Sequence, residues 1–197
     1  MRPIDQYISR LESRLRELSA ISEKIVEDVV TLKASPDVIR GRVDEVRRRR
    51  LEIHSSIIEI IARFQPTASD LRGLIASLEI SYGLYRFARY ALDISTILST
   101  VLRGSSKACE LRGSSEVAGY VREMVRKSIE AFLKRDKGLA RGVIEMDRVV
   151  DEKLFQTLSR ASRSTDLCST LDLLILMYLE RIADHSVYIA QETVEML

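Results

Sequence analysis

The chain has 197 residues, of which 46% are hydrophobic, while only 8 are glycine and 3 are proline. It is long enough to bury a core in one or two compact units, and it has too few turn-forming residues for many strands, so the composition favours an all-α fold. The 31 basic and 29 acidic residues nearly cancel, which argues against a general electrostatic field that would draw in nucleic acid.

The two cysteines, Cys109 and Cys168, lie far apart and lack the spacing of a metal-binding pair. Neither a disulfide framework nor a zinc site is therefore predicted, and a reducing cytoplasm fits this usage. The opening residues, MRPIDQYISR, lack the apolar run of a signal peptide, and the longest apolar stretch, residues 173–179, is far too short to span a bilayer. We expect a cytoplasmic protein whose association with any membrane complex is peripheral.

The first half of the chain predicts three long helices. Apolar residues recur at three- and four-residue steps, the period of a buried helical face, and predict a first helix over residues 4 to about 33. Ser35 is then the N-cap and Pro36 the first residue of a second helix, which runs to about residue 64. Another proline break precedes a third helix over residues 67–102.

A polar, glycine-bearing stretch follows the third helix and predicts a linker over residues 104–115. The chain is therefore divided into a first three-helix bundle, residues 1–103, and a second one, residues 116–197. The helices expected in the second half cover about 116–134, 137–162 and 164–197.

The two halves form an internal repeat. When the third helix is aligned with the sixth, identical residues fall in register at Leu78 and Leu173, Ile80 and Ile175, Leu84 and Leu179, Arg86 and Arg181, Ala88 and Ala183, and Ile94 and Ile189. The repeat predicts two tandem three-helix bundles, because long helices joined by short breaks pack antiparallel to one another.

Two pairs of acidic residues interrupt apolar faces in the second half. Glu180 and Asp184 lie one turn apart on a helix that carries apolar residues on nearly every side. The phrase DRVVD places Asp147 and Asp151 in the same way on the preceding helix. If these helices are antiparallel neighbours, Asp147 lies opposite Asp184 and Asp151 lies opposite Glu180. An unpaired buried charge costs several kcal/mol, so this cluster needs cationic partners, a metal ion or an opening to water.

Four carboxylates in one small region cannot all stay ionised without a counter-charge. Oxygen ligands select hard or borderline cations, so Fe, Mn, Mg, Zn or Ca would each satisfy the cluster chemically. The alternative is an ion-pair network in which arginines such as Arg148 and Arg181 neutralise the acids on a partly wet face. The spacing alone does not decide between these two interpretations.

Two phrases of the sequence resemble the PhoU family, the helical regulators of phosphate uptake. Residues 178–191, YLERIADHSVYIAQ, resemble the signature helix of that family, and residues 65–72, QPTASDLR, resemble the opening of the third helix in its first half. With the repeat, the resemblance covers nearly the whole chain. It implies the two-bundle architecture, and it favours the metal interpretation because PhoU proteins bind multinuclear iron or zinc through D-x-x-x-D on one helix and E-x-x-x-D on the next.

The first half lacks these acids. The equivalent residues are Tyr85 and Arg89, and either Val43 and Arg47 or Asp44 and Arg48, depending on a one-residue choice of register. One metal site is therefore predicted, in the second bundle, with Asp147, Asp151, Glu180 and Asp184 as ligands. The first bundle has exchanged acid for base, which indicates either structural decay or a patch for an anion.

Other site types find little support in the sequence. Ferritin-like diiron enzymes need Glu-x-x-His, but Leu51 and Ile182 stand three residues before the two histidines, His54 and His185. No nucleophile elbow, P-loop or Cys/His dyad is present. The basic run at residues 47–50 spreads around its helix and indicates a solvated surface first, a contact for an acidic partner second and nucleic acid third.

We therefore expect a PhoU-like regulator, not an enzyme, that acts by binding other proteins. The resemblance implies two partners: the ATP-binding subunit of a phosphate ABC transporter and a phosphate-sensing histidine kinase. The alternatives are an accessory protein of another type of phosphate permease, a small metal-dependent hydrolase and a metal-free helical adaptor. The oligomeric state is left open, with a homo-oligomer among the options.

Overall fold

The computed structural model describes residues 2–31, 35–103, 109–164 and 166–197. These ranges form six α-helices and contain no strand. The helices are α1 (Pro3–Val30), α2 (Pro36–Phe64), α3 (Ala68–Arg103), α4 (Arg112–Lys134), α5 (Lys137–Ala161) and α6 (Leu167–Met196).

The helices pack as two layers. In the first layer α2, α3, α6 and α5 lie side by side in that order, so the long helices α3 and α6 meet at the centre. In the second layer α1 packs on α2 and α3, α4 packs on α5 and α6, and α1 also contacts α4. The predicted pair of tandem three-helix bundles is confirmed, and the bundles join through α3 with α6 and through α1 with α4.

The central helices bury side chains from several directions. Phe87, Leu84 and Ile80 of α3 are almost completely buried, as are Leu176 and Ile182 of α6. This explains why α6 carries apolar residues on nearly every side, since it contacts α3, α4 and α5. Across the described ranges, none of the helices combines the length and the apolar character that crossing a membrane requires.

The predicted starts of α4 and α6 are wrong, because contacts with other helices and an N-cap residue determine where these helices begin. α4 begins at Arg112, so residues 112–115 of the predicted linker form its first turn, while residues 104–108 lie outside the described residues. The carboxylate of Asp172 on α6 accepts hydrogen bonds from the backbone N–H groups of Gly113 and Ser114 at 2.8 and 2.9 Å. A Cβ at residue 113 would lie 2.4 Å from Thr157 Oγ1, so this close approach of α4, α5 and α6 requires glycine.

α6 begins at Leu167 rather than at residue 164. Asp166 is the N-cap, and its carboxylate accepts hydrogen bonds from the backbone N–H groups of Cys168 and Ser169 at 2.8 and 3.3 Å. Ser35 is the N-cap of α2 and Pro36 is its first residue, as predicted. The predicted end of the first helix, at about residue 33, lies outside the described residues.

The two cysteines, for which no disulfide was predicted, form one: Cys109 and Cys168 are bonded, with Cα atoms 5.1 Å apart. Their separation of 59 positions in sequence does not reflect their separation in space. In an up-down-up bundle the first and third helices begin at the same end. Cys109 precedes α4 and Cys168 lies in the first turn of α6, so the fold brings the two thiols together.

Candidate functional site

The four acidic residues predicted as metal ligands come together where α5 faces α6. Glu180 is buried, with 6% of its surface exposed, whereas Asp147, Asp151 and Asp184 are half-buried. The pKa of Asp147 is raised to about 6, mainly by burial and further by the charges of Asp151, Asp184 and Glu180. Because the charge of each of the other three acids raises the pKa of Asp147, the acidic pairs of α5 and α6 lie close to one another. This is the arrangement that the sequence predicted.

Arg181 neutralises part of this acid cluster. Its Nε and Nη2 donate to the two carboxylate oxygens of Glu180, both at 2.7 Å, and its Nη1 lies 3.2 Å from Asp184 Oδ2. Such a bidentate pair is among the stronger charge-assisted contacts in proteins. Arg148, the other arginine considered as a partner, instead pairs with Glu152 at 3.1 Å on the exposed side of α5.

The fit of the cluster to a metal ion is incomplete in this arrangement. In the part of the chain that the structure describes, no three His, Cys, Asp or Glu side chains are placed to hold one ion together. Asp147 Oδ1, however, is buried without a hydrogen-bond partner. The donor set has the chemistry of a hard-cation site, but Arg181 holds the oxygens of Glu180 that an ion would need.

The equivalent region of the first bundle carries positive charge, as the sequence predicted. Arg89, at the position of Asp184, lies 3.6 Å from Asp93. Arg50 of α2 places its guanidinium carbon 5.2 Å from the ring centre of Tyr82 and 5.9 Å from that of Tyr85. Within the basic run, Arg49 pairs with Glu17 and Glu45, whereas Arg47 and Arg48 line an open groove on the outer surface of α2.

A group of aromatic residues around His185 was not singled out from the sequence. The His185 ring lies 6.1, 5.7 and 6.2 Å from the rings of Tyr82, Tyr90 and Tyr188. Burial lowers the pKa of His185 to about 4, and the nearby charges of Arg86 and Arg181 act in the same direction. His185 is therefore neutral at pH 7, and its Nδ1 is buried without a partner. The signal in the sequence was the concentration of tyrosines in residues 81–90.

Comparison with known proteins supports this architecture. The family model described as the PhoU domain matches residues 15–98 and again residues 115–193, which are the two halves of the repeat. A phosphate-specific transport system accessory protein PhoU homolog from Methanothermobacter thermautotrophicus is 26% identical, with 97% of this chain and 94% of the relative covered. The resemblance read from two phrases of the sequence is thereby confirmed.

Two solved structures have the same fold. The crystal structure of PhoU from Pseudomonas aeruginosa superposes with a TM-score of 0.89 at 22% identity, covering 98% of this chain and 97% of that one. The phosphate transport system regulatory protein PhoU from Streptococcus pneumoniae superposes with a TM-score of 0.84 at 18% identity, covering 98% and 96%. At these identities the likeness establishes the arrangement of the six helices.

Proposed function

Because the chain belongs to the PhoU family, we propose that it is an accessory protein that regulates a phosphate transport system by binding to it. The observation that carries this proposal is the match, over 97% of the chain, to a relative named as such an accessory protein. The chain acts as a binding protein, not as an enzyme. Its partners are the ATP-binding subunit of a phosphate ABC transporter and a phosphate-sensing histidine kinase, which it meets in the cytoplasm.

The exterior of the second bundle offers a surface for such a partner. Phe155 of α5 is 69% exposed, and Leu158 and Leu167 near the same end of the bundle are 47% and 53% exposed. Exposed aromatic and aliphatic side chains that are grouped together favour a protein contact over a purely solvated surface. We place the docking surface at this end of α5 and α6.

Co-purification from native membranes tests the proposal. The tagged protein should recover the ATP-binding subunit of a phosphate transporter, and deletion of the gene should change phosphate uptake. Phe155→Ser should weaken recovery, whereas Val38→Ser, a change at an exposed apolar residue of α2, should not. Failure to recover any phosphate-transport component, together with unchanged uptake in the deletion strain, would favour a helical adaptor or a metal-dependent hydrolase instead.

We propose as a second function that the acid cluster of Asp147, Asp151, Glu180 and Asp184 binds a cation such as Fe, Zn, Mn, Mg or Ca. Two observations support it: the buried, unpartnered oxygen of Asp147, and the pKa of this residue, which is raised by burial and then by the charges of the other three acids. A bound cation would supply the counter-charge that Arg181 provides to only part of the cluster. Arg181 must leave Glu180 and Asp184 to admit the ion, so this arginine competes with the metal.

Metal analysis of the purified protein is the direct test. The wild type should carry metal in stoichiometric amounts, and the double variant Asp151→Ala with Asp184→Ala should lose it while remaining helical by circular dichroism. Arg181→Gln should bind metal more tightly than the wild type, while Arg148→Gln, which breaks only the exposed pair with Glu152, should not. Metal-free wild type with a melting temperature that chelators leave unchanged would establish the ion-pair network.

A further inference from the structure

Two arginines in the first bundle lack the counter-charge that their surroundings call for. Within the described part of the chain, neither Arg50 nor Arg86 forms an ion pair with an aspartate or glutamate, and the Nε atoms of both are buried without a hydrogen-bond acceptor. A buried N–H group without an acceptor is unfavourable, and more so when it belongs to a charged side chain. The described residues therefore leave an N–H donor of each guanidinium without an acceptor.

Both arginines contact the same tyrosine. The guanidinium carbons of Arg50 and Arg86 lie 5.2 and 6.0 Å from the ring centre of Tyr82. Arg86 also stacks at 4.5 Å on the ring of Tyr90 and donates a hydrogen bond to its hydroxyl. Tyr82 is 36% exposed, so the cluster can be reached from solvent. We call these four residues, which lie on α2 and α3, the arginine–tyrosine cluster.

The internal repeat shows what is missing. Arg86 corresponds to Arg181, which is neutralised by Glu180 and Asp184 in the second bundle. The first bundle has Tyr85 and Arg89 at the positions of those two acids. The same arginine is therefore kept in both halves, but its counter-charge comes from α6 itself in the second half, whereas the described residues of the first half supply none.

Cation–π contacts compensate only part of this deficit, because the tyrosine rings carry no net charge. A guanidinium presents its N–H groups as a planar fork that matches the oxygens of phosphate or carboxylate groups. The His185 ring lies 6.1 Å from that of Tyr82, and its Nδ1 is a further buried nitrogen without a hydrogen-bond partner. The chemistry that completes the cluster is that of a small anion with several acceptor oxygens.

We propose that the arginine–tyrosine cluster binds a small tetrahedral oxyanion, of which inorganic phosphate is the form to test. Arg50 and Arg86 hold the anion by their guanidinium N–H groups, and the anion takes the role that the carboxylates of Glu180 and Asp184 have toward Arg181. The site uses none of the four residues of the acid cluster, and it requires neither the metal nor the transport partner proposed above.

Phosphate binding by the purified protein tests the proposal, using calorimetry at constant ionic strength. The wild type should bind inorganic phosphate saturably. Arg50→Gln and Arg86→Gln should each weaken binding by about ten- to a hundredfold, the effect of losing hydrogen bonds to a charged group. Arg40 is an exposed residue of α2 that forms no ion pair with any described residue, so Arg40→Gln is the matched control and should bind as the wild type does.

Tyr85→Glu is the most informative variant, because it restores an acid at the position of Glu180. It should abolish phosphate binding and raise the melting temperature of the phosphate-free protein, because the new carboxylate neutralises the arginines in place of the anion. Circular dichroism of each variant reports whether the fold is intact. The proposal is overturned if the wild type binds no phosphate at millimolar concentration, if ADP or ATP binds but inorganic phosphate does not, or if folded Arg50→Gln and Arg86→Gln bind as well as the wild type.

Discussion

Reduction of the disulfide between Cys109 and Cys168 should destabilise the protein without changing its fold. The bond joins the segment before α4 to the first turn of α6, and it closes a loop with a sequence separation of 59 that contains all of α4 and α5. In the native state the same two helix starts are also held by Asp172, which accepts three hydrogen bonds from Gly113 and Ser114. The main effect of the bond is therefore on the unfolded chain.

The magnitude follows from the length of the closed loop. In the chain-entropy description, a cross-link that closes about 60 residues removes unfolded-state entropy worth about 4 kcal/mol at 25 °C. For a chain of this size, each kcal/mol corresponds to about 2–4 °C in melting temperature, so reduction should lower it by about 10 °C. The reduced unfolded chain is also less compact, and the denaturant dependence of the free energy of unfolding should become steeper.

Urea and thermal unfolding of the wild type, with and without dithiothreitol, measure this effect. The double variant Cys109→Ser with Cys168→Ser is the control, and it should match the reduced wild type and not respond to reductant. Thiol titration must show that the reduced protein exposes both cysteines on unfolding. If oxidised and fully reduced wild type then unfold at the same urea concentration, closure of this loop does not stabilise the protein.

Two further predictions concern the helix starts that only the structure revealed. Asp172→Ala leaves the N–H groups of Gly113 and Ser114 without an acceptor in a buried place, and it should lower the free energy of unfolding by about 3 kcal/mol in urea titrations. Asp166→Ala should also destabilise α6, in a pH-dependent way. Hydrogen bonds from the hydroxyl groups of Ser169 and Ser164 and from backbone N–H groups lower the pKa of Asp166 to about 2 in the folded state, so its contribution is present above pH 3.8 and is lost as the pH falls toward 2. Melting temperatures of wild type and variant should therefore converge between pH 5 and pH 2, and a constant difference over that range would contradict the capping role.

Much of the fold was predictable because helices are encoded locally. The three- and four-residue apolar period identifies all six helices, and Pro36 marks the start of α2 correctly. The repeat between α3 and α6 predicts the tandem bundles, since equivalent apolar residues such as Leu84 and Leu179 serve equivalent cores. Each of these signals depends only on residues within a few turns of one another, or on comparison of two stretches of sequence.

The acid cluster was predictable in part for the same reason. The four-residue spacing of Glu180 and Asp184 places both carboxylates on one face of α6 whatever the helix packs against. The spacing cannot show that Arg181, the very next residue, turns back to hold both acids. The conformation of the Arg181 side chain, which the spacing leaves open, gives Glu180 and Asp184 a counter-charge from their own helix.

Local sequence patterns were enough to identify the helical segments, the internal repeat and the stretches of α5 and α6 that carry the acid cluster. Three contacts could be found only in the folded chain: the bond between Cys109 and Cys168, the hydrogen bonds from the first turn of α4 to Asp172 on α6, and the packing of Arg50 on the tyrosines of α3. The physical reason is the range of the interactions. Helix formation depends on neighbours one turn away, whereas these contacts join residues on different helices, and they exist only after the helices have packed in one particular order.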